Sequence, residues 1–397
     1  MKRQFGFSVA FLTLSLLTAA SHQSNAQDKQ AKPSSDIPRF VVDPYWPKPL
    51  PNRWVTGEVG GICVDRQDHV FGLNRAVVSP VQKILGKTPA PPVIEYDQAG
   101  NIVNSWGDPE VMPKTLHGCI FDKDDNIWIG GSAGGTIQKW THDGKKLLLQ
   151  IGDRNNCDGQ CGEASSINAS KTSLNQPADI AIDPANGDVY VADGYGNHRV
   201  VVFNSKGQFL RQWGEKGTGP GQFAAAGAGH PHCVVIGDDS LVYVCDRGND
   251  RIEVFDKKGS LKSIIPIKLG TAYSSATDGT PGAKRIASAN DLAFWGPKQR
   301  YMLIDDPGNE QIWILDRSLA QGSSPPPIIG GFGGQGRNVA TFITVHGIEV
   351  DSKGNLYTAE TIEGQRLQKF VPTGTLPATG LPTYLGSPHY DAVPDKK

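Results

Sequence analysis

An excess of either charge is missing from this 397-residue chain: 39 Lys and Arg stand against 40 Asp and Glu, a net charge of −1. Without a basic surplus there is no electrostatic case for a nucleic-acid or anionic-membrane partner. Helical periodicity of useful length is missing after residue 30, which excludes a helix bundle. CxxC and Cys₂His₂ patterns are missing as well, so none of the common cysteine metal motifs applies. The apolar run FGFSVAFLTLSLLTAA (5–20) turns polar too soon to make a comfortable membrane span.

That run follows Lys2 and Arg3 and precedes small residues at Ser24 and Ala26, the pattern of an export signal cleaved near Ala26–Gln27. Residues 27–38 read as a flexible leader, 39–380 as the folded domain and 381–397 as a tail. Cleavage would leave no membrane attachment, and the product is expected in the periplasm or medium as a monomer. No Cys follows the apolar run, so a lipoprotein anchor is not supported. Export makes disulfides permissible. Cys233 and Cys245 flank a hairpin symmetrically and Cys157 and Cys161 close a tiny loop, so both pairs read as local staples. Cys63 and Cys119 fall one residue out of register in neighbouring repeats and read as buried thiols.

What the chain has in abundance is turn-forming residues, 47 Gly and 28 Pro, set between short β-rich strands. Six segments repeat: GGICVDRQDHVFGLNR, HGCIFDKDDNIWIGG, ADIAIDPANGDVYVAD, HCVVIGDDSLVYVCD, NDLAFWGPKQRYMLIDD and HGIEVDSKGNLYTAE. Their first positions are Gly60, His117, Ala178, His232, Asn290 and His346, recurring every 54 to 61 residues. Third strands such as RVVVF, RIEVF and QIWIL follow, then often a fourth. Four strands in each of six units make an all-β, six-bladed β-propeller. The segment FVVDPYWP (40–47) is expected to close the ring by adding an outer strand to the last blade, which removes an exposed edge.

The first strand of a propeller blade is innermost, so the first positions face the central channel. His117, His232 and His346 belong to blades 2, 4 and 6, whose starts are a third of a turn apart, and their imidazoles are expected to meet on the axis. Three neutral imidazoles with an open fourth position are the ligand set of a catalytic zinc site. His69 and His142 lie in hairpin turns, His198 in the GNHR turn and His389 in the tail, all read as surface or packing residues. His230, two residues from His232, is the one competitor. Asp193, Asp246 and Asp306, before their GN turns, read as turn formers.

GNHRVVVF and GNDRIEVF resemble NHL repeats. With QPADIAIDP, DGY, RQWGE, the PH and DR of blade 4, and the HG of blades 2 and 6, residues 55–371 resemble the catalytic domain of peptidyl-α-hydroxyglycine α-amidating lyases. The resemblance implies one Zn2+ per chain on His117, His232 and His346, a catalytic Tyr195, and functional arginines at Arg247 and Arg75, with Arg53 the rival to Arg75. It implies cleavage of a carbinolamide C–N bond in a small-molecule or peptide substrate, giving an amide and glyoxylate. The family's acidic residue after the last histidine, which helps hold Ca2+, is Gly347 here, so the resemblance does not extend to calcium. The cysteine after its tyrosine is Gly196, and no copper monooxygenase domain accompanies the repeats, so the substrate need not be the family's. Two other readings keep parts of this pattern: another metal-dependent propeller enzyme, a lactonase or lyase that need not use Tyr195, and a non-catalytic NHL binding protein.

Overall fold

A computed structural model describes residues 37–75, 77–161, 167–224, 230–267, 288–376 and 383–384. The export signal, nearly all of the leader, and His389 lie outside them. The described residues form six blade sheets, each with four antiparallel strands and one with a short fifth strand added, besides a two-stranded sheet of Trp54–Val55 and Thr88–Pro89. In blade 2 the strands are Lys114–Phe121, Ile127–Ala133, Gly135–Trp140 and Leu147–Asp153, in chain order from the axis outward. Blades 1, 3, 4 and 5 follow the same order, starting from Glu58–Val64, Asp179–Ile182, Val234–Ile236 and Asp291–Trp295.

Blade 6 closes the ring as the sequence suggests. Its inner strands come from Val345–Val350, Leu356–Glu360 and Leu367–Leu376, and the outermost is Ile37–Asp43, pairing antiparallel with Leu367–Leu376. Phe40 from this first strand packs against Trp295 and Phe332 of blade 5, so the closing strand also fills an inter-blade core. Thr383–Tyr384, within the stretch read as a tail, pair in parallel with the outer strand of blade 5.

The strands alternate because each blade packs on two neighbours. Val189, Val191, Val201 and Phe203 of blade 3 pack on blade 2, while Tyr190, Ala192, Val200 and Val202 pack on blade 4. Burying such side chains contributes roughly 1.5–3 kcal/mol each. The turn-forming role of the acidic residues is visible in Asp193, which accepts from Asn175 N, Asn197 Nδ2 and Arg199 Nε, and in Asp246, which accepts from Ala224 N, Asn249 Nδ2 and Arg251 Nε.

Cys157–Cys161 and Cys233–Cys245 are disulfides, with Cα atoms 5.2 and 4.8 Å apart. Cys63 and Cys119 are not free thiols; they form a third disulfide, with Cα atoms 5.7 Å apart. The out-of-register argument fails because both first strands are bulged, between Val59 and Gly61 and between Leu116 and Cys119. Gly60 and Gly61 also let the two strands approach closely. A Cβ at Gly61 would lie 1.7 Å from the His117 carbonyl oxygen. Three disulfides are compatible with an oxidising compartment, and no described helix is long and apolar enough to cross a membrane.

Candidate metal centre

The bulge that shifts Cys119 also aims His117, and a separate bulge in blade 6 aims His346. In the first strand of blade 2 the pairing skips from Leu116 to Cys119, leaving His117 outside the ladder; in blade 6 it skips from Val345 to Gly347, leaving out His346. A bulged residue is free to turn its side chain away from the normal alternation. His232 precedes the first strand of blade 4, tied by its N–H to the Cys245 carbonyl. All three side chains are buried and converge. Ring centroids are 4.9 Å apart for His117–His232, 4.5 Å for His117–His346 and 5.1 Å for His232–His346, and one ring nitrogen of each lies within 4.8 Å of the others.

The intervening blades orient these rings. His232 Nδ1 donates to the Asn290 carbonyl oxygen at 2.8 Å, and the Ala178 backbone plays the same part for His117. His346 Nδ1 approaches the Gly60 backbone but falls short of ordinary hydrogen-bond geometry. Thus the three first positions without histidine, Gly60, Ala178 and Asn290, face the three with it. With Nδ1 protonated, Nε2 carries a lone pair. Tyr195 Oη stands 3.0 Å from Nε2 of both His117 and His232. One hydroxyl proton cannot satisfy two lone pairs, so the donor set suits a cation, and the triad can hold a metal ion.

Burial lowers the pKa of all three histidines well below the ordinary imidazole value. Mutual repulsion within the triad adds to this at His117 and His232, and the positive charges of Arg75 and Arg247 add to it at His117 and His346; Arg247 does the same at His232. Neutral imidazoles are the ligating form. Below them, a channel cavity of about 340 Å³ is lined by Asp179, Asp291 and Glu349. Burial raises these carboxyls, Asp291 to about 6 and Glu349 to about 7.

The NHL repeat model matches residues 174–203, within blade 3. Peptidyl-glycine alpha-amidating monooxygenase B of Xenopus laevis is 33% identical over 269 residues, 62% of this chain and 29% of that protein. Peptidyl-alpha-hydroxyglycine alpha-amidating lyase 2 of Drosophila melanogaster is 26% identical over 291 residues, 69% of this chain and 65% of that one. NHL repeat-containing protein 3 of Mus musculus is 26% identical over 345 residues, 84% of this chain and 85% of that one. The chain is a six-bladed β-propeller that carries an NHL repeat and resembles the amidating lyases. It spans between 22% and 29% of the length of the amidating monooxygenases it matches.

Within this NHL propeller, Tyr195 lies in the loop after Val189–Asp193, its ring edge-on to His117 and His232 and under the guanidinium of Arg247 at 5.6 Å. Arg247 is buried and pairs with neither Asp246 nor Asp193; its Nη1 donates to Asn290 Oδ1 at 2.6 Å. Arg75 reaches the same mouth. Its Nε donates to the Leu116 carbonyl, its Nη1 meets Glu58 at 2.9 Å, and its buried Nη2 has no partner among the described residues. Arg53 is instead exposed, bonded to the Leu85 carbonyl. His230 is turned away from the triad, its Nδ1 accepting from Gly248 N at 2.8 Å.

Sequence reasoning passed over Asn290. Its carbonyl holds His232, its Oδ1 holds Arg247, and its Nδ2 donates to the His346 carbonyl at 2.7 Å. The available signal was a polar amide at a channel-facing repeat position, where Gly60 and Ala178 are small.

Proposed function

We propose that this protein is an exported, zinc-dependent lyase that cleaves the C–N bond of an N-acyl-α-hydroxyglycine, releasing an amide and glyoxylate. The observation that carries the reading is Tyr195 Oη, equidistant from the Nε2 atoms of two of three converging imidazoles and covered by a buried arginine. Likeness to the Drosophila lyase supports the choice of reaction.

His117, His232 and His346 would hold the ion, which supplies a Lewis acid that lowers the pKa of a hydroxyl bound to it. In its phenolate form Tyr195 Oη would accept the proton of the substrate hydroxyl. The electrons of that O–H bond become the C=O of glyoxylate, the C–N bond breaks, and the departing amide nitrogen takes the proton back from Tyr195. Arg247, held on one edge by Asn290, offers its planar fork to the substrate carboxylate. Beside Arg75 a groove of about 790 Å³, lined by Pro91, Pro92, Met112 and Leu116, would take an apolar acyl group.

The test is to incubate the zinc-loaded protein with N-acyl-α-hydroxyglycines and measure amide and glyoxylate together. Equal amounts of each, with rates that fall in Tyr195→Phe, support the lyase reading. Near-normal turnover by Tyr195→Phe would leave another metal-dependent chemistry. A second reading, a non-catalytic binding propeller, draws on the match to NHL repeat-containing protein 3 over 84% of this chain, a likeness that names the repeat and no reaction; it predicts no turnover and ligand binding that survives His232→Ala.

A further inference from the structure

A second set of metal-ligating side chains lies at the other end of the first strand of blade 1, roughly 15 Å from the axial histidines at the usual strand rise. The turn after Glu58–Val64 supplies Asp65 and His69, the third strand Val93–Tyr96 supplies Glu95, and the turn Thr141–Gly144 of blade 2 supplies His142. His142 Nε2 is 2.9 Å from Asp65 Oδ2, and His69 Nδ1 is 2.7 Å from Glu95 Oε1 and 3.9 Å from Asp65 Oδ2. Ligand atoms of Asp65, Glu95 and His142 all lie within 4.8 Å of one another. Phe71 and Phe121 pack on the His142 ring and fix its direction.

The charges in this cluster do not balance. Asp65 and Glu95 are buried, and among the described residues neither meets a Lys or Arg. Buried carboxylates need a positive partner, and imidazoles provide one only when protonated. The joint between blades 3 and 4 meets this need with a lysine. Asp183 stands where Asp65 does, and Lys257, at the position of His142 in the following blade, reaches it at 2.8 Å. In blade 3 the counterpart of Glu95 is the apolar Val202. The joint of blades 1 and 2 has therefore exchanged a permanent cation for an imidazole while adding a second carboxylate and a second imidazole. A dipositive ion would neutralise both carboxylates and leave the imidazoles in their ligating form.

We infer that Asp65, Glu95 and His142 form a second divalent-metal site, with His69 hydrogen-bonded to Glu95 beside it, of the zinc class favoured by mixed imidazole and carboxylate donors, that staples blade 1 to blade 2. It is independent of the lyase reading, because none of its ligands reaches the channel mouth. The test uses the His117→Ala/His232→Ala/His346→Ala variant, stripped with chelator and titrated with zinc alone. One zinc per chain is expected, with a rise in Tm, and adding His142→Lys should abolish both while giving Asp65 the ammonium that Asp183 already has. Should the axial variant not fold, the parent and single His142→Lys chains are compared, and the lysine variant should bind one zinc fewer. Zinc content and Tm response unchanged by His142→Lys, or no zinc bound by a folded axial variant, would overturn the inference.

Discussion

The mouth and the interior of the central channel are built by the same ring of blades and carry opposite chemistry. At the mouth are three imidazoles from blades 2, 4 and 6, and lining the channel below them are Asp179 and Asp291, on the first strands of blades 3 and 5, and Glu349, on the strand of His346. Burial disfavours charge in both places, but the consequences differ. It lowers the histidines, so they are neutral ligands at physiological pH, and raises the carboxyls toward neutrality, Glu349 to about 7. A desolvated tube thus prepares one end to receive a cation and leaves the other end titrating near neutral pH.

The largest way to break this contrast is to remove a mouth ligand. His232→Ala should lose the axial metal and lower glyoxylate release by at least ~10³-fold, since a Lewis acid supplies several kcal/mol of transition-state stabilisation. Elemental analysis beside the rate measurement checks that both fall together. Tyr195→Phe separates proton transfer from metal binding: kcat should drop by about 10²–10⁴-fold with metal content unchanged.

Asn290→Ala should come next. Removing its side chain frees Arg247 and the His346 carbonyl while leaving its own carbonyl on His232, so a loss of about 10–100-fold in zinc affinity or activity is expected. Zinc competition with a chelator and the KM for a carboxylate-bearing substrate report the two effects separately.

The smallest effect is the pH dependence of stability in the metal-free protein, where mouth and interior oppose each other. For the histidines, whose folded pKa lies below the unfolded value, the unfolded chain binds more protons in acid. Their contribution is therefore lost as pH falls below about 6.5. For Glu349, whose folded pKa is raised to about 7, the folded chain holds the extra proton, so stability is lost as pH rises from about 4.5 through 7. Glu349→Gln should remove its share of the second slope, leaving that of Asp179 and Asp291 and the whole of the first, and so gain about 1–3 kcal/mol at pH 8 relative to pH 5. Urea unfolding across that range measures it; an unchanged slope would show that Glu349 does not titrate in the folded channel.

The fold was readable because period-two strands and turns recur at nearly constant spacing, and because channel-facing positions are fixed by the repeat. That logic brought His117, His232 and His346 together without any pairwise contact to guide it. It could not place Cys63 against Cys119, because a bulge shifts the local register and two glycines set the inter-blade distance, neither of which leaves a periodic signal. Asn290 was passed over because two of its three roles run through its side chain to residues 43 and 56 positions away. His142 read as a surface turn because its partner Asp65 lies across a blade joint, and His69 because its partner Glu95 lies 26 positions away on the third strand; aligning His142 with Lys257 was the available clue.

The most direct measurement is glyoxylate release from an N-acyl-α-hydroxyglycine as zinc is titrated into the stripped protein, with the axial triple variant alongside. The account predicts activity that appears with zinc in the parent and stays at background in the variant at every zinc level. Equal release by the two proteins, or none from a parent shown to hold zinc at the three histidines, would contradict it.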